Sequence, residues 1–269
     1  FERGLITEER INLAAKRLTT EMFQLGLFDN PYRDPAQADA IVNCEAHRVA
    51  AYAAHQQSVV LLKNTQGLLP LTTEKLKGKK VYVELFEKGL LVSKLDTLRA
   101  DIKHLNPDIH FTTDFQYADL AILFVHPFTG DYFKATEGLL ELNICEATNI
   151  NIGKIKEIRS VVPQVVMSIN FKMAWLLTNA EPLADALLGA FETYETATMD
   201  VICGRAQPVG QLPLTLPGSD AAIAVDQHGK CASPNDVPGY DKEKYMQGKA
   251  YAYVDAQGNC YRLGFGLRY

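Results

Sequence analysis

The segment 126–141, with the sequence HPFTGDYFKATEGLLE, combines carboxylates with aromatic rings. Aromatic rings pack against the C–H faces of sugar rings, while carboxyl groups accept hydrogen bonds from hydroxyls or protonate a leaving oxygen. The segment follows the apolar run 120–125, which is typical of a buried strand. We therefore expect a ligand-binding loop, with Asp131, Tyr132 and Phe133 as candidate substrate contacts.

A structural explanation of such residues stays open. Composition alone favours a solvated loop whose aromatic side chains cap the core. Glu192, Tyr194 and Glu195 follow another apolar run and invite a similar functional interpretation. Charged residues at the start of a helix usually interact with the helix dipole, however, and we expect that role for this group.

The sequence indicates neither a metal site nor a cofactor. His47 and His55 lie eight positions apart on a predicted helix, and no third ligand follows at a suitable spacing. No glycine-rich phosphate-binding loop follows the first strands. Cys145 and Cys203 have no neighbouring histidine motif, so buried and inert thiols are expected.

Composition argues against further classes. The net charge of −5 and the pI near 5.7 provide no basic surface for a phosphate backbone, so nucleic-acid binding is not expected. No apolar run approaches the roughly 18 to 20 residues that span a bilayer, so no membrane span is expected. The five cysteines are odd in number and include no CxxC pair, which favours a cytoplasmic location. The chain starts at Phe1 rather than Met, and secretion therefore stays open.

Runs typical of buried strands alternate with segments of helical periodicity along the chain. The predicted strands are 58–62, 80–86, 119–125, 164–169 and 184–190. The predicted helices are 7–25, 37–56, 91–105, 152–161, 171–177 and 194–203. Strands that are apolar on both faces indicate a mostly parallel sheet with helices on both sides. The expected fold is an α/β three-layer sandwich of five or six strands, in a flavodoxin-like or Rossmann-like arrangement.

Ligands of an open parallel sheet usually lie beyond the carboxyl ends of its strands. For this sequence, that rule indicates the loops after Phe86, Val125, Ile169 and Phe191. The second of these loops is the long segment with carboxylates and aromatic rings.

Three regions are predicted. Residues 1–35 contain one amphipathic helix and a Pro- and Asp-rich linker that offers its apolar face no partner, so we expect the helix to belong to a preceding domain. Residues 36–217 form the sandwich. Residues 218–269 are an irregular arm that ends in a short hairpin over 250–263, turned at 255–258.

Four separated motifs resemble glycoside hydrolase family 3 and follow that family's order. LGLFDNP (25–31) is similar to the end of the family's (β/α)8 barrel and the start of its linker. Residues 46–71, with AHR, SVVLLKN and LPL, are similar to the opening of its second domain. CGRAQPVGQLPLTLP (203–217) resembles the segment G-x-x-x-P-x-G-x-L-P-x-T-x-P, and LGFGL (263–267) resembles the terminal G-Y-G-L signature. The resemblance covers nearly the whole chain.

The resemblance implies the C-terminal α/β domain of a β-glucosidase-like enzyme that hydrolyses terminal β-linked sugars with retention. Retention needs two carboxyl groups about 5 Å apart, one to attack the anomeric carbon and one to protonate the leaving oxygen. The family's nucleophile is an Asp on the barrel, and no residue of this chain matches it. The implied partners are that barrel domain of the same protein and an oligosaccharide or glycoside substrate. The isolated chain is expected to be inactive.

The resemblance also implies where the proton donor lies. The family's acid/base Glu is in the second domain, often within E-G-x-D-R before L-x-L. Glu137 and Gly138 match the first two positions, but Leu140 and Glu141 replace the Asp-Arg pair. In an alternative register, residues 142–144 supply L-x-L and Glu141 is the nearby carboxylate. Glu137 and Glu141 are therefore both candidate catalytic acids, with Glu137 preferred.

Two other interpretations stay open. The first is a support or sugar-contacting domain that shapes the site without supplying a proton. The second is a free-standing protein that binds a small molecule, which requires that the gene begin near Phe1. In either case the identity of the sugar is not encoded here, since the resemblance implies that specificity depends mostly on the barrel.

Overall fold

The computed structural model describes residues 3–129, 141–219, 222 and 251–269. It divides into two compact units, Phe1–Ala51 and Tyr52–Tyr269. The boundary between these units falls inside a helix. The predicted domain limits at residues 35 and 217 stay predictions.

Helix α1 (Glu8–Gln24) opens the first unit where the sequence predicts it. Thr7 Oγ1 accepts a hydrogen bond from the Arg10 amide at 3.2 Å, which satisfies one of the free N–H groups of the first turn. None of the residues in α1 is buried. Large apolar side chains such as Leu18 and Phe23 are exposed.

The prediction of one helix over 37–56 is wrong. The structure has helix α2 (Pro35–Ile41) and then helix α3 (Glu45–Ser58). Asn43 separates them with a φ of +60°. A left-handed residue interrupts helical hydrogen bonding, and Asn is one of the few residue types that adopts this conformation readily.

A six-stranded sheet forms the centre of the second unit. Its strands are β1 (Val60–Asn64), β2 (Lys80–Glu87), β3 (His110–Thr112), β4 (Leu120–His126), β5 (Gln164–Asn170) and β6 (Ala186–Ala190). The order across the sheet is β1-β6-β5-β4-β2-β3. β1 is antiparallel to β6, and the other neighbouring pairs of these strands are parallel. The predicted α/β sandwich with a mostly parallel sheet is confirmed.

Helices cover both faces of this sheet. They are α4 (Thr73–Leu76), α5 (Val92–Leu105), α6 (Ile152–Val161) and α7 (Glu195–Ile202). Helices α4, α5 and α7 pack in one buried apolar cluster, and α6 packs in the other. Ile122 and Leu123, neighbours on β4, belong to different clusters because successive strand side chains point to opposite faces.

Residues 171–177, predicted as a helix, form no helix. Trp175 is buried, and its indole Nε1 donates a hydrogen bond to the backbone oxygen of Asn170 at 2.9 Å. Burial of this large ring with its N–H group satisfied outweighs the helical periodicity of the segment.

Two glycines allow three backbone segments to approach one another. A Cβ on Gly210 would lie 2.3 Å from the carbonyl oxygen of Val59, and a Cβ on Gly266 would lie 2.5 Å from the carbonyl oxygen of Gly210. The same segments exchange a hydrogen bond, since Leu212 N donates to Phe265 O at 2.8 Å. Glycine in both motifs is therefore required by packing.

The end of the chain turns at the predicted place. Val254 and Cys260 form an isolated antiparallel bridge. Asp255 Oδ1 accepts hydrogen bonds from the amides of Gln257 and Asn259, each at 2.9 Å. Such side-chain bonds to the following backbone stabilise a turn, so the described part of the predicted hairpin has its turn at 255–258.

Candidate functional site

The carboxyl ends of four strands surround a cleft of about 440 Å³. Glu87, His126 and Asn170 are the last residues of β2, β4 and β5, and Glu192 follows β6. These strands are parallel neighbours, so their carboxyl ends meet at one edge. Open α/β sheets bind ligands at this edge, and the cleft lies where the sequence indicated.

His126 lies between carboxylates from two other elements. Its Nδ1 is 3.5 Å from Glu87 Oε2, and its Nε2 is 3.8 Å from Glu195 Oε1. Lys94 Nζ is 2.5 Å from the same oxygen of Glu87. Burial lowers the pKa of the His126 imidazole, although Glu195 and Glu87 oppose that shift. The ring is therefore mostly neutral at pH 7.

Asn170 fixes the position of Glu192 through two hydrogen bonds. Asn170 Nδ2 donates to Glu192 Oε1 at 2.8 Å, and the Glu192 amide donates to Asn170 Oδ1 at 2.9 Å. Lys172 Nζ lies 3.3 Å from the same carboxylate oxygen. Glu192 has a φ of +54°, a conformation that costs a non-glycine residue roughly 1–2 kcal/mol. The hydrogen bonds to Asn170 hold the backbone in this strained state.

Aromatic rings form part of the cleft wall. The ring of Tyr194 stacks on His55 with centroids 4.1 Å apart, which fixes the plane of an otherwise exposed side chain. Phe128 lines the cleft as well, and Lys88 Nζ lies 4.7 Å from the centroid of its ring. The cleft therefore combines charged and polar groups with apolar ring faces.

Most of the candidate residues from the sequence cannot be located in this site. Asp131, Tyr132, Phe133 and Glu137 lie outside the described residues. Glu141 is described and does not line the cleft. Its Oε1 accepts hydrogen bonds from the backbone N of Asn143 at 2.7 Å and from Asn143 Nδ2 at 2.9 Å.

The sequence alone did not identify the other residues of the cleft as ligand contacts, or it predicted a different role for them. Glu192, Tyr194 and Glu195, expected to be partners of a helix dipole, all line the cleft. Glu195 also lies in the first turn of α7, so both descriptions apply to it. One feature of the sequence could have identified His126 and Asn170 as cleft residues, because each is a polar residue at the end of an apolar strand.

The described cleft offers hydrogen-bonding groups rather than a metal centre. Among residues 3–129, 141–219, 222 and 251–269, no three His, Cys, Asp or Glu side chains are arranged to hold a metal ion. Within the same part of the chain, every helix is too short or too polar to cross a membrane. Carboxylates, ammonium groups and an imidazole in one cleft suit a polar ligand.

Comparison with known proteins relates the chain to glycosidases. The model of the glycosyl hydrolase family 3 C-terminal domain matches residues 59–269. Beta-glucosidase C of Emericella nidulans is 27% identical over 278 residues, which cover 99% of this chain and 37% of that protein. A putative beta-xylosidase of Formosa agariphila is 25% identical over 300 residues, covering 97% of this chain and 36% of that protein. The chain thus spans little more than a third of the length of these relatives.

Solved structures share the fold. The beta-glucosidase of Listeria innocua, crystallised with isofagomine, gives a TM-score of 0.61 at 20% identity, over 100% of this chain and 40% of that one. A family 3 beta-glucosidase of Bifidobacterium adolescentis gives a TM-score of 0.57 at 20% identity, over 94% of this chain and 43% of that one. Since the family model also matches most of its sequence, the chain belongs to glycoside hydrolase family 3 as the C-terminal domain.

Proposed function

We propose that this chain completes the active site of a retaining, exo-acting β-glycosidase that removes terminal β-linked sugars. Membership of family 3 supports hydrolysis of glycosidic bonds as the reaction class. Relatives over nearly the full chain include a beta-glucosidase and a putative beta-xylosidase, which supports a β-glucoside or β-xyloside as substrate. Because the chain spans little more than a third of these relatives, we propose a (β/α)8 barrel of the same protein as the partner that carries the nucleophile.

The proposed reaction divides its two carboxyl groups between the domains. An Asp of the barrel attacks the anomeric carbon while a Glu of this chain protonates the glycosidic oxygen, which leaves as an alcohol. The glycosyl ester that forms is then hydrolysed by water, which gives its proton to the same Glu, and the configuration is retained. A proton donor without its nucleophile cannot carry out this displacement, so the isolated chain should not turn over substrate.

The main support for this proposal is the place at which one loop leaves the sheet. The connection from β4 to α6 leaves an inner strand of the sheet at the edge that holds the cleft, and it contains both Glu137 and Glu141. In Glu141, one carboxylate oxygen is already engaged by Asn143 in a local turn. We therefore prefer Glu137 as the proton donor.

Replacing each candidate acid in the full-length enzyme tests the proposal. Glu137→Gln should lower kcat/KM by about 10²- to 10⁴-fold for alkyl glycosides, whose poor leaving group needs a proton. The loss should be much smaller for a 4-nitrophenyl glycoside, since 4-nitrophenolate leaves without protonation. Glu141→Gln should change both rates little.

Glu146→Gln is the matched control, because Glu146 is an exposed Glu in the same connection.

The second candidate function is a domain that supports the barrel without supplying a proton. It is favoured if Glu137→Gln and Glu141→Gln both hydrolyse alkyl and aryl glycosides at the rates of the control. A loss confined to Glu141→Gln would instead move the donor to that residue.

A further inference from the structure

A second pocket lies at the opposite edge of the sheet from the cleft. Its volume is about 320 Å³. Gln164 is the first residue of β5, and Lys79 and Asp185 directly precede β2 and β6. The antiparallel strand β1 ends at the same edge, so Thr65, the residue after it, also lines the pocket. The pocket shares no residue with the cleft at the carboxyl ends of the parallel strands.

Two acceptor side chains of this pocket are already engaged by the protein. Asp185 binds Arg159 through both carboxylate oxygens, at 2.6 and 2.9 Å. Its Oδ2 also accepts a hydrogen bond from the Val165 amide at 2.9 Å. Gln164 Oε1 accepts a hydrogen bond from Lys79 Nζ at 2.6 Å. The guanidinium of Arg159 therefore balances the charge of Asp185, and the lysines of the pocket do not.

Donor groups of the pocket, by contrast, are in excess. An ammonium group has three N–H bonds, and a side-chain amide has two. Lys79 Nζ uses one of its three with Gln164. Lys75 Nζ uses two, with the backbone oxygens of Gly67 at 2.7 Å and Leu68 at 2.9 Å. Among the described residues, Gln164 Nε2 donates to no acceptor, so the unused hydrogen-bonding capacity of these three side chains consists of N–H groups.

The pocket also has a positive charge that no carboxylate offsets. Lys75 and Lys79 line it, and Lys77 and Lys80 belong to the same segment of six residues. Within the part of the chain that the structure describes, no carboxylate lies within 4.0 Å of any of these four ammonium groups. Glu74, beside this segment, is exposed and does not line the pocket. In a chain with a net charge of −5, this segment therefore attracts anions locally.

Unpaired ammonium groups and free N–H donors together suit an oxyanion. The donors come from three elements, namely α4 with Lys75, the segment before β2 with Lys79, and the first residue of β5, Gln164. A tetrahedral anion has acceptor oxygens in several directions, whereas a carboxylate has two oxygens in one plane. Charge-assisted hydrogen bonds to phosphate are stronger than those between neutral groups. The volume lies at the lower end of the range for small-molecule sites.

We propose that this pocket binds a phosphate group, which Lys75, Lys79 and the side-chain amide of Gln164 hold through their free N–H donors. The group belongs to the free ion or to a small phosphorylated molecule, since both present the same oxygens. This site lies apart from the cleft and does not depend on the proposed hydrolysis of glycosides. A ligand that binds only the folded protein also stabilises it against unfolding.

Calorimetric titration of the full-length protein tests the site, with inorganic phosphate, glycerol phosphate and uncharged glycerol as probes at equal ionic strength. Both phosphates should bind to wild type, and glycerol should not. Lys79→Met should raise the Kd for both phosphates about tenfold, because one charged donor is lost. Gln164→Glu should abolish binding, because its carboxylate repels the anion. That variant should remain folded, since the new carboxylate still accepts a hydrogen bond from Lys79.

Lys77→Met is the matched control, because it removes the same charge from the same segment but from a residue outside the pocket. Its Kd should stay close to that of wild type. Tighter binding of glycerol phosphate than of inorganic phosphate would support a phosphorylated molecule as the ligand, and equal affinities would support the free ion. Absence of binding to wild type at millimolar phosphate would overturn the site. Equal losses of affinity in Lys77→Met and Lys79→Met would overturn it as well, because attraction to a charged surface would then explain the binding.

Discussion

The carboxylates of Glu181 and Glu192 lie in opposite environments of one domain. The side chain of Glu181 is 3% exposed, its Oε1 is 2.6 Å from Lys63 Nζ, and its Oε2 accepts a hydrogen bond from the Tyr253 hydroxyl at 2.9 Å. Glu192 is mostly exposed, and one of its two oxygens has no described partner. The first carboxylate joins β1 to the C-terminal arm, whereas the second is held at the edge of a cleft.

The comparison shows that hydrogen-bonding and ionic partners, more than charge, distinguish a buried structural carboxylate from one at the edge of a cleft. Around Glu181 every group acts on another group of the fold, and burial together with this carboxylate raises the pKa of the Tyr253 phenol, so Tyr253 remains a donor. Around Glu192 the backbone is strained, and among the described residues no hydrogen bond reaches its Oε2. The difference predicts that the two glutamates control different measurable properties.

Glu181→Gln should have the largest effect on stability. It leaves the Lys63 ammonium, only 11% exposed, without its carboxylate, and breaking a buried pair in this way costs about 3–5 kcal/mol. Urea unfolding of the chain, followed by the fluorescence of Trp175, measures the loss. The double variant Lys63→Met/Glu181→Gln should recover much of it, since no uncompensated charge remains. A loss below about 1 kcal/mol in the single variant would contradict this, because the Lys63–Glu181 ion pair would then contribute no more than an exposed pair does.

Gly210→Ala should have the next largest effect on stability. The added Cβ would meet the backbone oxygen of Val59 at 2.3 Å, and backbone cannot move aside as a side chain can. Overpacking of this kind costs about 1–3 kcal/mol in urea unfolding. Gly153→Ala on α6 is the control, because its nearest contact is the Asn151 side chain at 3.3 Å. Equal stability of the two variants would contradict the close approach of Gly210 to the backbone of Val59.

His126→Gln should change how the free energy of unfolding depends on pH. Burial lowers the pKa of the ring in the folded state, so between that value and the ordinary 6.5 the unfolded chain binds a proton that the folded chain does not. The contribution of His126 is therefore complete above pH 6.5 and is lost as the pH falls through the folded pKa. Glu195, Glu87 and Lys94 face the ring and are unchanged in the variant.

Urea unfolding of wild type and His126→Gln at several pH values from 7.5 to 4.5 measures this effect. Wild type should lose more stability than the variant on acidification. His104→Gln, at an exposed position on α5, should follow wild type. A steeper loss in His126→Gln than in wild type would mean that the two carboxylates outweigh burial.

The fold was largely predictable because its signals are local. Leu120 to Val125 is apolar on both faces, which only an inner strand of a covered sheet requires. Strand β3 (His110–Thr112) is not among the predicted strands, because three residues are too few for a strand periodicity to be recognised. The interruption at Asn43 was missed because neither Gly nor Pro marks it.

The site was predictable in place but not in composition. A parallel sheet fixes the edge at which ligands bind, and the cleft lies there. The contact of Asn170 with Glu192, however, joins residues 22 positions apart through tertiary packing of β5 and β6. No spacing rule relates such residues, so a helix-dipole role was the better interpretation of Glu192 from sequence alone.

Glu192→Gln should have the smallest effect on stability. Its ion pair with Lys172 is largely exposed, and such pairs contribute about 0–1 kcal/mol. The Gln side chain keeps an oxygen that can accept from Asn170 Nδ2, so the strained backbone keeps its support. Urea unfolding should therefore place Glu192→Gln within about 1 kcal/mol of wild type. A loss as large as that of Glu181→Gln would remove the distinction between the two carboxylates, because Glu192 would then be as important for folding as Glu181.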